Sequence, residues 1–104
     1  MATGILGQAA PAAITNTVVY TVPASTVTVA TISIVNTTLI PIAVRLAIAS
    51  SGTPATSEYI EYDTIISASG VLERSGIVMN ATEAVVVFAT SAGLSVSVYG
   101  YEEV

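Results

Sequence analysis

The chain predicts an all-β fold, an antiparallel β-sandwich of immunoglobulin-like or jelly-roll type with about eight strands and an extended N-terminal arm. Three observations carry this. Of its 104 residues, 53% are apolar, and they fall in short runs rich in Val, Thr, Ile and Ala. Within those runs apolar side chains recur every second residue, and no segment keeps the 3.6-residue period of a helix. Clusters of Ser, Asn, Gly and Pro interrupt the runs at the spacing expected of strand-turn-strand units.

Residues 1–14, MATGILGQAAPAAI, hold glycine, proline and many alanines without a sustained period, and read as an extended arm. The segment is either a frayed terminus or an arm whose apolar pair Ile5 and Leu6, between Gly4 and Gly7, docks on a neighbouring subunit or closes an edge of the sheet. Residues 15–104 form a single domain. Val18, Tyr20 and Val22 alternate with Thr17, Val19 and Thr21 until Pro23 stops the strand and Pro23-Ala24-Ser25 turns. In the next run, Thr26 to Val35, Val27 and Val29 share one parity and Ile32 and Ile34 the other, as either a β-bulge near Ala30-Thr31 or burial of both faces would produce.

After Asn36-Thr37-Thr38, the aliphatics Ile42, Val44, Leu46 and Ile48 alternate with Ala43, Arg45, Ala47 and Ala49 in the cleanest strand of the chain. Ser50 to Pro54 is loop by composition, and Glu58 to Asp63 is a short strand. Ser67-Ala68-Ser69-Gly70 turns, Val71 to Glu73 is a strand, Ser75-Gly76 breaks it, and Ile77 to Met79 comes next. Beyond the turn at Asn80-Ala81-Thr82, Val85-Val86-Val87-Phe88 is apolar on both faces, as a central strand or one covered by another chain would be. Finally Leu94, Val96 and Val98 point inward and Ser95, Ser97, Tyr99 and Tyr101 outward, and Glu102-Glu103-Val104 reads as a solvated end.

Composition narrows function. Two cations, Arg45 and Arg74, stand against seven acids, for a net charge of −5. Nucleic-acid binding needs a basic footprint that this balance denies, and anionic membranes are disfavoured for the same reason. Mean hydropathy is high, +0.82, yet no run approaches the ~20 apolar residues of a spanning helix. Met1 to Ala13 lack a cationic segment ahead of an apolar one, so the chain reads as soluble and made in the cytosol. Charged residues make up 9% of the chain, against about 25% in ordinary soluble domains. That deficit argues for burial against copies of the chain or a partner, as a homo-oligomer, dimer or trimer.

The chain has no His and no Cys, which removes Ser-His-Asp and Cys-His catalysis and the commonest zinc ligands. No cofactor is expected. Glu58, Glu61 and Asp63 are the remaining place for chemistry, as a glycosidase acid pair or, for Glu61 and Asp63 with loop carbonyls, a calcium site. Glu61 and Asp63 share a strand face and Glu58 lies on the other, and the chain has no Trp to line a sugar cleft. The plainer reading is an acidic patch facing Arg45 or Arg74. The chain is therefore read as a non-enzyme whose contacts are made by Ile5, Leu6, Arg45, Tyr59, Tyr62, Arg74, Tyr99 and Tyr101, with the four tyrosines clustering if their strands are neighbours. Tyrosine and arginine are the side chains enriched at protein interfaces.

Across GILGQAAPAA (4–13), TNTVVYTVPA (15–24), AVRLAIASSGTP (43–54), EYIEYDT (58–64), GVLERSGIVM (70–79) and VSVYGYEE (96–103), the chain resembles small structural proteins of tailed bacteriophages, including those of cyanobacteria. It departs from them at Asn36-Thr37-Thr38-Leu39, where most carry an Asn-Arg-Gly turn. The resemblance implies a virion component assembled in the host cytoplasm: a capsid decoration or cement protein that binds the major capsid protein and stabilises the head. The alternatives are a tail, neck or fibre component bound to another virion protein, or a host-binding β-sandwich module. Under the first reading the N-terminal arm and one apolar sheet face clamp the capsid, and removal of residues 1–10 leaves a folded domain with weakened attachment.

Overall fold

The computed structural model describes residues 3–104; residues 1 and 2 of the expected arm lie outside the described residues. Eight strands succeed one another: β1 (Thr3–Ala9), β2 (Thr17–Thr21), β3 (Val27–Asn36), β4 (Ile42–Ala49), β5 (Tyr59–Ile66), β6 (Val71–Met79), β7 (Ala84–Ala89) and β8 (Leu94–Glu103). The one helical element among the described residues is a 3-10 turn at Thr56–Glu58. Sheet I has the order β1-β8-β3-β6 and sheet II the order β2-β7-β4-β5, and all strand pairs are antiparallel.

The pairing is nested. β4 pairs with β5, β3 with β6, β2 with β7 and β1 with β8, so the chain is one long hairpin whose tip is the β4–β5 loop. Rolling that hairpin brings β3 beside β8 and β4 beside β7, which splits it into two facing sheets. This is the jelly-roll arrangement, and it decides between the two sandwich topologies that the strand count left open.

The inward side chains are those the alternation marks in β4 and β8. Ile42, Val44 and Leu46 from β4 meet Leu94, Val96 and Val98 from β8, together with Ile32, Ile34, Val85, Val87 and Met79, all 2% exposed or less. Each such side chain contributes about 1.5–3 kcal/mol on burial. The turns at Ser25, Ser69 and Thr82 each place that residue at positive φ, at 57°, 57° and 69°, where short polar side chains turn the chain most readily.

Three expectations are revised. β3 keeps one parity throughout, with Thr28, Ala30, Ile32, Ile34 and Asn36 inward and Val27 and Val29 outward. The bulge expected there lies across the ladder instead: from Ala30 to Ile32, β3 advances two residues while β6 runs from Ile77 to Arg74. Ser75-Gly76 is thus not a break between two strands but a bulge inside β6, made possible by Gly76 at φ 70°. The arm, second, is a strand rather than an unpaired extension, and of the two placements offered for it the edge-closing one holds: Thr3 to Ala9 pairs with β8 at the edge of the sheet. Leu6 is the extra residue of a bulge between Ile5 and Gly7 and turns in against the core. Leu6 therefore packs inside its own domain rather than on a neighbour, and removing residues 1–10 would strip an edge strand rather than shed a free arm. Third, the carboxy-terminal end is not solvated at Glu102, which faces inward at 8% exposure and accepts a hydrogen bond from Thr28 Oγ1 at 3.4 Å.

Candidate functional site

The sequence-marked side chains divide between two outward faces. On sheet II, β5 carries a bulge: from Val44 to Leu46 β4 advances two residues while β5 runs from Thr64 to Glu61, with Asp63 at φ 53°. The bulge breaks the simple alternation that placed Glu61 and Asp63 on one face. Asp63 turns outward to Arg45, accepting hydrogen bonds from Nε at 2.6 Å and Nη2 at 3.4 Å. Glu61 turns to the sandwich edge instead.

Arg45 is held in a stack. Its guanidinium carbon lies 4.3 Å from the Tyr62 ring centre and 4.9 Å from that of Phe88, and Tyr59 meets Tyr62 edge-on at 5.0 Å and 82°. The hydrogen bond to Asp63 pushes the Arg45 pKa up, so the charge is permanent. Beyond Tyr59, the small residues Ala47, Ala49 and Ala84 with Val86 form a second buried cluster on the outward side of this sheet. The β4–β5 loop folds back here, with Gly52 beside the Val18 side chain. Glu58 holds that loop by accepting from the amides of Ser50 at 3.0 Å and Ala55 at 2.8 Å. Those amides, Ala55 first, draw its carboxyl below the ordinary range.

Arg74 is paired within the domain. From β6 it donates through Nη1 to Glu61 Oε2 and, at 3.2 Å, to the Ile60 carbonyl, which ties the edge of sheet I to the edge of sheet II. Thr64 Oγ1 donates to Glu61 Oε1 at 2.7 Å. The Thr64 hydroxyl and then Arg74 hold the Glu61 carboxyl below its usual range. Both acids considered for calcium are thus engaged by arginines on different sides of the domain. Among the described residues no group of three or more His, Cys, Asp or Glu side chains converges, and no cleft opens on the described surface.

On sheet I the outward side chains are Ile5, Tyr99 and Tyr101, with Ile5 paired to Tyr99 across the β1–β8 ladder. Tyr99 donates its hydroxyl to Glu73 Oε2 at 3.0 Å, which raises the phenol pKa. The four tyrosines do not form one cluster. Tyr59 and Tyr62 stand on β5 in sheet II and Tyr99 and Tyr101 on β8 in sheet I, so side chains pointing outward from the two layers point apart.

Sequence reading missed Phe88, Val29 and Val78. Phe88 shares parity with Val86, outward from β7; that parity alone would have assigned it once Val85 and Val87 were placed inside. Val29 and Val78 are neighbours across the β3–β6 ladder, a relation that only the sheet order supplies. No protein-family model, curated protein or solved structure matches the chain.

Proposed function

We propose that the chain is a structural protein of a tailed-bacteriophage virion, a decoration or cement subunit that binds the major capsid protein and stabilises the head. The observation that carries this reading is a jelly roll whose outward faces expose apolar side chains: Ile5 is 61% exposed, Ile65 64%, Val71 60% and Val78 65%. Monomeric soluble domains rarely expose large contiguous apolar patches, and Val78, Val29, Tyr101 and Ile5 lie in adjacent rows of one outward face. Jelly rolls serve as viral capsid domains, lectins and cupins. The chain has no His for a cupin metal centre and no Trp for a sugar platform, and the segments that resemble phage structural proteins favour the capsid role. The fold alone is an analogy; the exposed faces give it physical content.

Attachment at many symmetry-related sites gains from multivalency, so a homo-oligomer on a two-fold or three-fold axis fits the role. The experiment is the copy number per purified virion, by quantitative mass spectrometry against the major capsid protein. Hundreds of copies over the head are the expected result. A few copies confined to neck, tail or fibres would move the protein to the tail apparatus, and none would remove it from the virion.

A further inference from the structure

The outward face of sheet I carries carboxylates and no arginine. The ladder registers place Thr3, Tyr101, Val29 and Val78 in one row across β1, β8, β3 and β6. Ile5 and Tyr99 stand in the next row, toward the Asn36 end of β3, and Val27 beside Glu103 flanks the first row on the other side. Tyr101 is 46% and Val27 43% exposed, so an apolar and tyrosine-rich strip lies open across the whole sheet.

Among the described residues, the charges on this face are Glu73 and Glu103, and neither forms an ion pair with an arginine. Both cations of the chain are committed elsewhere, Arg45 to Asp63 on sheet II and Arg74 to Glu61 at the sheet edge. A second copy laid on this face would bring carboxylates toward carboxylates with no arginine to answer them, and like charges across an interface are penalised. A surface that is apolar at its centre and bears Lys or Arg at its rim satisfies both features. Sheet II does not ask for such a partner, because its arginine is already neutralised by Asp63 and stacked between two rings.

We infer that the outward face of sheet I is the docking surface, and that its occupant is a different protein whose contact patch is basic and apolar, not a second copy of this chain. On the virion reading, upon which this inference rests, that partner is the capsid surface.

The test uses particles assembled without this protein, to which purified full-length variants are added and bound copies counted across a concentration series. Tyr101→Ser is expected to weaken attachment at least tenfold and Glu103→Lys at least fivefold. The Glu103→Lys deficit should shrink as salt is raised, because a screened attraction is what it removes. Ile65→Ser, equally exposed but on sheet II, should stay within twofold of wild type. Thermal melts report whether each variant is folded, and Val78→Ser replaces Tyr101→Ser if that one is not. Wild-type binding with Tyr101→Ser and Val78→Ser within twofold would overturn the docking face and leave the virion reading intact. Glu103→Lys binding as well as wild type or better would overturn the basic character of the partner. Failure of the wild type itself to bind the particles would overturn both readings.

Discussion

Asn36 ends β3 with no exposed surface and uses its whole amide. Nδ2 donates to the carbonyls of Ile40 at 2.7 Å and Ile66 at 3.0 Å, while Oδ1 accepts from the amide and hydroxyl of Thr38 at 2.9 and 2.6 Å. One side chain thus pins the β3–β4 turn to the end of β5. As Asn36-Thr37-Thr38 the same residues match a glycosylation pattern, but a fully buried amide offers no acceptor for a glycan. Truncation would leave buried donors and acceptors unpaired at about 1–3 kcal/mol each. Asn36→Ala is therefore expected to lose about 3 kcal/mol in urea denaturation, because those groups would stay buried without partners. Asn36→Asp should lose more at neutral pH, because a carboxylate would face two carbonyl oxygens where the amide now donates. The residue's polarity and place before a turn were legible in the chain; its burial was not, since that depends on β5 arriving beside it.

At the scale of elements, legibility tracks regularity. β8 alternates cleanly, and so does β4 from Ile42 to Leu46, before Ala47 and Ala49 are buried on its outward side as well; the inward residues of both are those the period-two pattern marks. β1, β2, β5 and β6 carry register shifts, and each shift inverts the parity of the residues beyond it. Gly76 and, more weakly, Asp63 advertise their bulges by residue type, since both types tolerate positive φ; the extra residues Leu6 and Val19 are of types that give no such signal. The β5 irregularity separates Glu61 from Asp63, and the Glu61–Arg74 pair it creates bridges the two sheets. Its folded-state carboxyl pKa is lower than the ordinary value of 4.5. The pair therefore contributes stability fully above that value and loses it as pH falls through the lower folded value. Arg74 is 40% exposed, so solvent screening limits the gain to less than about 1 kcal/mol. Glu61→Gln is expected to be less stable than wild type at pH 7 by that amount, and the two denaturation curves should converge in acid as the wild-type carboxyl protonates. A constant gap from pH 7 to pH 3 would assign the effect to packing instead of charge.

Across the whole molecule, the nested hairpin joins residues at opposite ends of the chain, as where Thr3 meets Tyr101. Its strength is uneven. β3 and β8 pair through ten consecutive residues, Val27 with Glu103 to Asn36 with Leu94, without a shift, and β4 and β7 pair regularly from Val44 with Ala89 to Ala49 with Ala84. Every pair involving an edge strand, β1, β2, β5 or β6, contains at least one shift. Local opening draws on the elements with fewest regular contacts, while the best-protected amides open only with global unfolding. Hydrogen exchange measured residue by residue should therefore find the slowest amides in the four central strands, β8 and β3 of sheet I and β7 and β4 of sheet II. Those of β1 and β5 should exchange roughly 100-fold faster, because these edges can fray while the middle stays paired. Glu61→Gln should speed β5 further and leave β3 unchanged. Uniform protection across all eight strands would mean that the edges unfold only with the core. In that case the bulges would be rigid parts of the closed sandwich, and β1 would be as permanent a strand as β8.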